Sequence, residues 1–135
     1  MQRRGIIILL IGIVFFTACG DGKLKAKMES GKKVFQLYCQ TCHMEDGGGV
    51  PGMNAPLTGS KYIAGDKEKL ISIVLHGSAA FANDAERKYQ NKMPALASLS
   101  DQEIADVLTY IRNSFTNKAA AVDAEDVKQV REKKN

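Results

Sequence analysis

The chain has 135 residues, a formal net charge of +4 and 44% hydrophobic residues. That length fits one domain with a modest core, and 19 basic against 15 acidic side chains give no basic excess of the size a nucleic-acid surface needs. Three cysteines, two of them in one short motif, leave no disulfide framework to seek.

At the N-terminus, Arg3 and Arg4 precede an apolar run from Ile6 to Phe16, followed by Thr17-Ala18-Cys19. This is the layout of a secretory signal peptide over residues 1–18. The run is shorter than the ~18 apolar residues of a transmembrane helix. The small residues before Cys19 resemble a bacterial lipobox, in which the cysteine is diacylated and becomes the mature N-terminus. Ordinary cleavage and an uncleaved anchor are the alternatives. Lipidation would hold the protein at a membrane, facing the periplasm or extracytoplasmic side, and two acyl chains make a firm anchor. Arg3 and Arg4 leave with the signal, so the working chain is closer to neutral. Residues 19–29 then read as a lipidated cysteine and a polar tether.

A folded domain is expected over residues 30–116. Gly31 to Gln40 reads as a helix with Val34, Phe35, Leu37 and Tyr38 on its apolar side. It runs into Cys39-Gln40-Thr41-Cys42-His43, and C-x-x-C-H is the attachment signature of a c-type haem. The two thiols add across the haem vinyl groups, and the adjacent His43 ligates iron. One helical turn separates Cys39 from Cys42, so both sulfurs face one porphyrin edge. A thioredoxin-like reading would need a βαβ context. A structural zinc site would need two more ligands.

Residues 44–62 are expected to be loop, punctuated by Gly47-Gly48-Gly49, Pro51-Gly52 and Pro56. Asp66 is placed to cap a helix through Leu75, with Leu70, Ile73 and Val74 inward and Gly77 closing it. Residues 78–92 form a second loop, ending at Met93-Pro94. A thioether is a soft, neutral ligand that favours ferrous iron, and Met93 stands where it can reach the face opposite His43. His76 is the alternative ligand, read rather as a surface or supporting histidine. Ser100-Asp101-Gln102-Glu103 is a capping box that opens a helix to about Phe115. Its positions Ile104, Val107, Leu108 and Ile111 follow a period of about 3.6. No run reads as a strand. Residues 117–135 form a charged tail. Asp123 is placed to cap a last helix, with Val122 and Val127 as its hydrophobic staple, but the apolar content is too small to predict firm docking.

With these residues in hand, the chain resembles a class I, single-haem cytochrome c over residues 30–116. The resemblance is carried by Gly31 and Phe35, C-Q-T-C-H at 39–43, G-G-G-V-P-G-M-N-A-P-L at 47–57, M-P at 93–94, and L-S-D-Q-E-I-A-D-V-L-T-Y-I-R-N at 99–113. It implies an all-α fold whose first and last domain helices cross over one covalent haem c, with His43 and Met93 as axial ligands. It also implies that Gly31 and Tyr110 allow the close approach, with Phe35 beside them. The Pro56 carbonyl would accept the second ring N–H of His43 and fix its tautomer. The likeness is greatest to small bacterial domains that serve quinoprotein dehydrogenases, copper nitrite reductases or haem–copper oxidases.

The expected function is therefore one-electron transfer, without substrate chemistry, by a monomer. Its redox partners would be a terminal oxidase, a quinoprotein dehydrogenase or a reductase. Phe35, Leu57, Ile63 and Val107 would exclude water from the haem. Lys32, Lys33, Arg87, Lys88 and Lys92 would form a modest basic rim, or simply a solvated face. Two rival readings stay open. One is a five-coordinate haem enzyme or gas sensor. The other is a fixed subunit of a respiratory or dehydrogenase complex, docked by the tail.

Overall fold

Among the residues described by the computed structural model, 18–81 and 89–133, the secondary structure is helical, and the only strand-like pairing is an isolated bridge between Val50 and Asn54. The expected signal features Arg3, Arg4, Ile6–Phe16 and Thr17, and the rim residues Arg87 and Lys88, lie outside the described residues. The elements are α1 (Ala18–Tyr38), α2 (Gln40–His43), α3 (Lys61–Ala64), α4 (Lys67–His76), a 3-10 turn (Gly77–Phe81), α5 (Asp101–Arg112) and α6 (Ala124–Glu132).

Helix α1 is already formed at Ala18, the first described residue, so the stretch read as a tether is helical. Polarity suggested a linker there, but Lys23-Leu24-Lys25-Ala26-Lys27-Met28-Glu29 is made almost wholly of strong helix formers. The stretch is also engaged: Lys27 Nζ donates to the Val122 carbonyl at 3.0 Å and pairs with Asp123. The folded unit therefore reaches back beyond Ser30.

Gly31, Val34 and Phe35 are buried in a stripe of i, i+3, i+4 spacing that faces α5. Leu37 falls off that stripe and is 74% exposed, against the sequence expectation. A Cβ added to Gly31 would stand 2.0 Å from the Asp106 carbonyl oxygen and 2.8 Å from Tyr110 Cβ, so only glycine permits this approach. Next to it, the Phe35 ring lies 5.5 Å from Tyr110 and 5.2 Å from Phe115, and Tyr110 meets Phe115 edge-on at 5.7 Å. These are favourable aromatic geometries. They hold Phe115 at a φ of 55°, an uncommon region for a bulky side chain.

Helix α4 starts where expected: the Asp66 side chain accepts from the Lys69 N–H at 2.8 Å, and Gly77 closes the helix at a φ of 60°. Helix α5 opens on the complete Ser100–Glu103 capping box and ends at Arg112, short of the Phe115 boundary read from its apolar period. Arg112 is 4% exposed. Its guanidinium donates to the carbonyls of Ile63 (2.7 Å), Gly65 (3.1 Å) and Ala120 (2.7 Å), tying three segments together. Burial lowers its pKa from the ordinary value, partly offset by the nearby Asp66 charge.

The tail forms its last helix where Asp123 is placed to cap it, but that helix docks more firmly than its small apolar content predicts. Residues 117–133 are not a solvated appendage. Val122 and Val127 are fully buried, Val130 is buried, and α6 packs on α4 and α5. Thr109 receives the Val122 N–H at 3.0 Å and donates back to its carbonyl at 3.2 Å. Ionic pairs then fasten α6 at its rim: Lys67 with Asp126 at 2.7 Å, Arg131 with Asp101 at 2.8 Å, and Lys133 with Glu68. Val127 and Val130, three residues apart, form the apolar side of α6, and Val122 packs just before its start.

Candidate functional site

Helices α1, α4 and α5 and the loops between them enclose an apolar cavity of about 210 Å³. Its wall includes Cys39, Cys42 and His43 on one side of the sequence and Met93 on the other. The four residues singled out by motif and position thus share one site. The chain delivers the first three through a break after α1. Cys39 accepts from the His43 and Cys42 N–H groups through its carbonyl, and the short α2 carries the motif into the cavity.

The His43 ring is oriented by a backbone carbonyl, but not the one expected. Nδ1 lies 2.8 Å from the oxygen of Ala55, one residue before Pro56. A residue preceding proline is held extended, and this turns the Ala55 carbonyl toward the ring. Gly49 makes room for it: at a φ of 66°, a Cβ there would stand 2.5 Å from the Asn54 oxygen and 2.7 Å from the Ala55 oxygen. With Nδ1–H committed to Ala55, Nε2 carries the free lone pair. Burial lowers the His43 pKa, partly countered by the Ala55 bond, so the ring is held in the neutral form that binds metal.

The thiols are free of a disulfide. Burial, with the neighbouring Cys42 second, pushes the Cys39 thiol up to about 11. That is opposite to the depressed pKa of a redox-active C-x-x-C.

Met93 is partly buried against the core, while the other candidate ligands stay away from the cavity. His76 is exposed, with its Nδ1 3.0 Å from the Ser72 carbonyl. Met44 and Met53 are each 43% exposed. Leu57, Ile63 and Val107 line the cavity as expected. Phe35 does not: it is buried one layer behind, in the aromatic cluster with Tyr110 and Phe115. Of the loop residues, Tyr89 and Asn91 reach the wall, whereas Gln90 is exposed and donates its N–H to the Gly52 carbonyl. Lys92 lies at the cavity mouth, and Lys32 and Lys33 are exposed on α1.

The donor set fits a haem: two thiols one turn apart, a neutral imidazole with one nitrogen fixed, a thioether, and otherwise apolar walls. Residues 28–115 match the sequence family described as Cytochrome c. The chain belongs to that family. It accordingly holds covalently bound haem c and serves electron transfer. It is similar to cytochrome c-552 of Thermus thermophilus, with 33% identity over 122 residues, covering 84% of this chain and 82% of that one. It is also similar to the cytochrome c subunit of alcohol dehydrogenase (quinone) of Gluconacetobacter polyoxogenes, with 34% identity over 104 residues. That match covers 76% of this chain but only 22% of the longer subunit. The fructose dehydrogenase cytochrome subunit of Gluconobacter japonicus is 29% identical over 113 residues, covering 78% of this chain and 22% of that subunit. No described helix is long and apolar enough to cross a membrane.

Sequence reasoning missed Ala55, Ser78, Phe115 and Arg112. Only Ala55 had a readable signal, its place before Pro56 beside the glycine run. The other three depend on long-range contacts.

Proposed function

We propose that this cytochrome is an exported one-electron carrier in which His43 and Met93 are the two axial ligands of the haem held by Cys39 and Cys42. The observation that carries the reading is that His43 and Met93 line one apolar cavity with both cysteines. When bound, haem supplies an iron that accepts and releases one electron. The chain's own residues do the rest. The Ala55 carbonyl holds His43 in one tautomer. Leu57, Ile63 and Val107 keep water from the site, which favours the less charged ferrous state. His43 and Met93 would together hold the iron and leave no open position for substrate, so the chain would carry electrons rather than catalyse a reaction.

Replacing Met93 with alanine tests this. The far-red band of ferric methionine-ligated haem should disappear, the reduction potential should fall, and carbon monoxide should bind the ferrous protein. An unaltered spectrum would assign the sixth ligand elsewhere and revive the sensor or enzyme reading.

Redox proteins are the proposed partners, and the relatives named as dehydrogenase subunits support this class. For a fixed subunit docked by its tail, support is weaker, because the apolar side of α6 is already buried within this chain. Lipidation of Cys19 rests on the Thr17-Ala18-Cys19 motif after an apolar run. Cys19→Ser should release the protein from the membrane fraction; equal retention would refute the anchor.

A further inference from the structure

We infer that Ser78 is a positioning residue for Met93, its hydroxyl setting how firmly the methionine stays on the iron; this rests on the reading of Met93 as an axial ligand. Helix α4 ends at Gly77, and Ser78 is the next residue, at the start of the 3-10 turn. Its backbone N–H donates to the Met93 carbonyl at 2.9 Å. Its hydroxyl accepts from the Met93 N–H at 2.7 Å. The two bonds run in opposite directions between the same two residues and close a ring. Both partners line the cavity.

The placement matters because of what surrounds Met93. Pro94 follows it and has no N–H to donate, and Lys92 before it is exposed. The next backbone anchors are the Leu96 N–H on the Val74 carbonyl at 2.9 Å and the Asn91 N–H on the Met53 carbonyl at 3.0 Å. Between those points the methionine is pinned to the rigid end of α4 through Ser78. The Ser78 N–H bond survives any side-chain change, but the hydroxyl bond does not. Losing one net hydrogen bond shifts an equilibrium roughly 2- to 10-fold.

The test is cyanide binding to the purified ferric holoprotein, which competes with the sixth ligand for iron, read with the far-red band. Ser78→Ala should bind cyanide roughly 2- to 10-fold more tightly than the parent. Ser78→Thr, which keeps a hydroxyl, should restore the parent affinity. In the Met93→Ala background, Ser78→Ala should change nothing further. A Ser78→Ala protein with parent cyanide affinity, beside a Met93→Ala protein that binds far more tightly, would overturn the role of Ser78 while leaving the ligand reading intact. An equal effect of Ser78→Ala with and without Met93 would also overturn it, because the hydroxyl would then act on the site in general. If Met93→Ala itself alters neither the band nor cyanide affinity, the ligand reading falls and takes this inference with it.

Discussion

The carbonyl oxygen of Asp106 would stand 2.0 Å from a Cβ on Gly31, so α1 and α5 meet backbone to backbone at that point. Alanine in an open helix would stabilise by ~1 kcal/mol over glycine. Here the overlap is with backbone, which no rotamer change relieves. Gly31→Ala is expected to destabilise the holoprotein by about 1–3 kcal/mol instead. A urea melt decides the sign, and a stabilised variant would mean that the helices part easily.

Arg112 holds three carbonyls from separate segments. Arg112→Met keeps much of the volume but leaves those acceptors without their donor, at a cost of about 2–4 kcal/mol. Arg112→Lys keeps the charge, but one ammonium cannot reproduce the guanidinium fork, so an intermediate loss is expected. Equal stability of Met and native proteins in thermal melts would show that water replaces the guanidinium without penalty.

The dock of α6 should weaken in acid. Burial acts to raise the Asp126 pKa, but the Asp123 N–H, the Lys67 bond and the Lys67 and Lys27 charges together hold it below its ordinary 3.8. A carboxylate whose folded pKa is depressed adds stability that is complete above its unfolded value and lost as pH falls through the folded one. Amide exchange in α6 should therefore accelerate below about pH 3.8, relative to α5. Asp126→Asn should flatten that difference, and an unchanged acid response in the variant would place the titration elsewhere.

Haem should complete the core. Leu70, Val74, Leu108 and Ile111 all face the cavity, so without the porphyrin their apolar surface meets water, costing about 25 cal/mol per Å². Cys39→Ala/Cys42→Ala should give a protein that keeps helix content but melts at lower temperature and with less cooperativity. A native-like melt of that variant would show that the helices pack without haem.

Elements with local signals were legible in the sequence. The Asp66 and Ser100 caps, the Gly77 stop and the C-x-x-C-H motif depend on residues within a turn or two, and each lies where its pattern placed it. The misses share the opposite property. Leu37 looked inward by composition but lies off the stripe set by Gly31, Val34 and Phe35. The Asp123 start of the tail's helix was legible, but its docking was not, because its pairs join residues as far apart as Lys27 and Asp123. The His43 acceptor was misplaced by one residue, Ala55 for Pro56, because a loop's register is fixed by contacts such as the Leu57 N–H on the Gly47 carbonyl at 2.7 Å.

Helix α1 ends at Tyr38, directly before the first haem-attachment cysteine, and runs unbroken back to Ala18. Its 21 residues make a rod roughly 30 Å long. A chain held at Cys19 by lipid would then not trail its haem on a slack leash. The rod would fix a radius and leave free only the angle at the membrane. The haem edge would sweep an arc of that radius, so a partner in the same membrane would have to offer its own redox centre within roughly 30 Å of the bilayer surface.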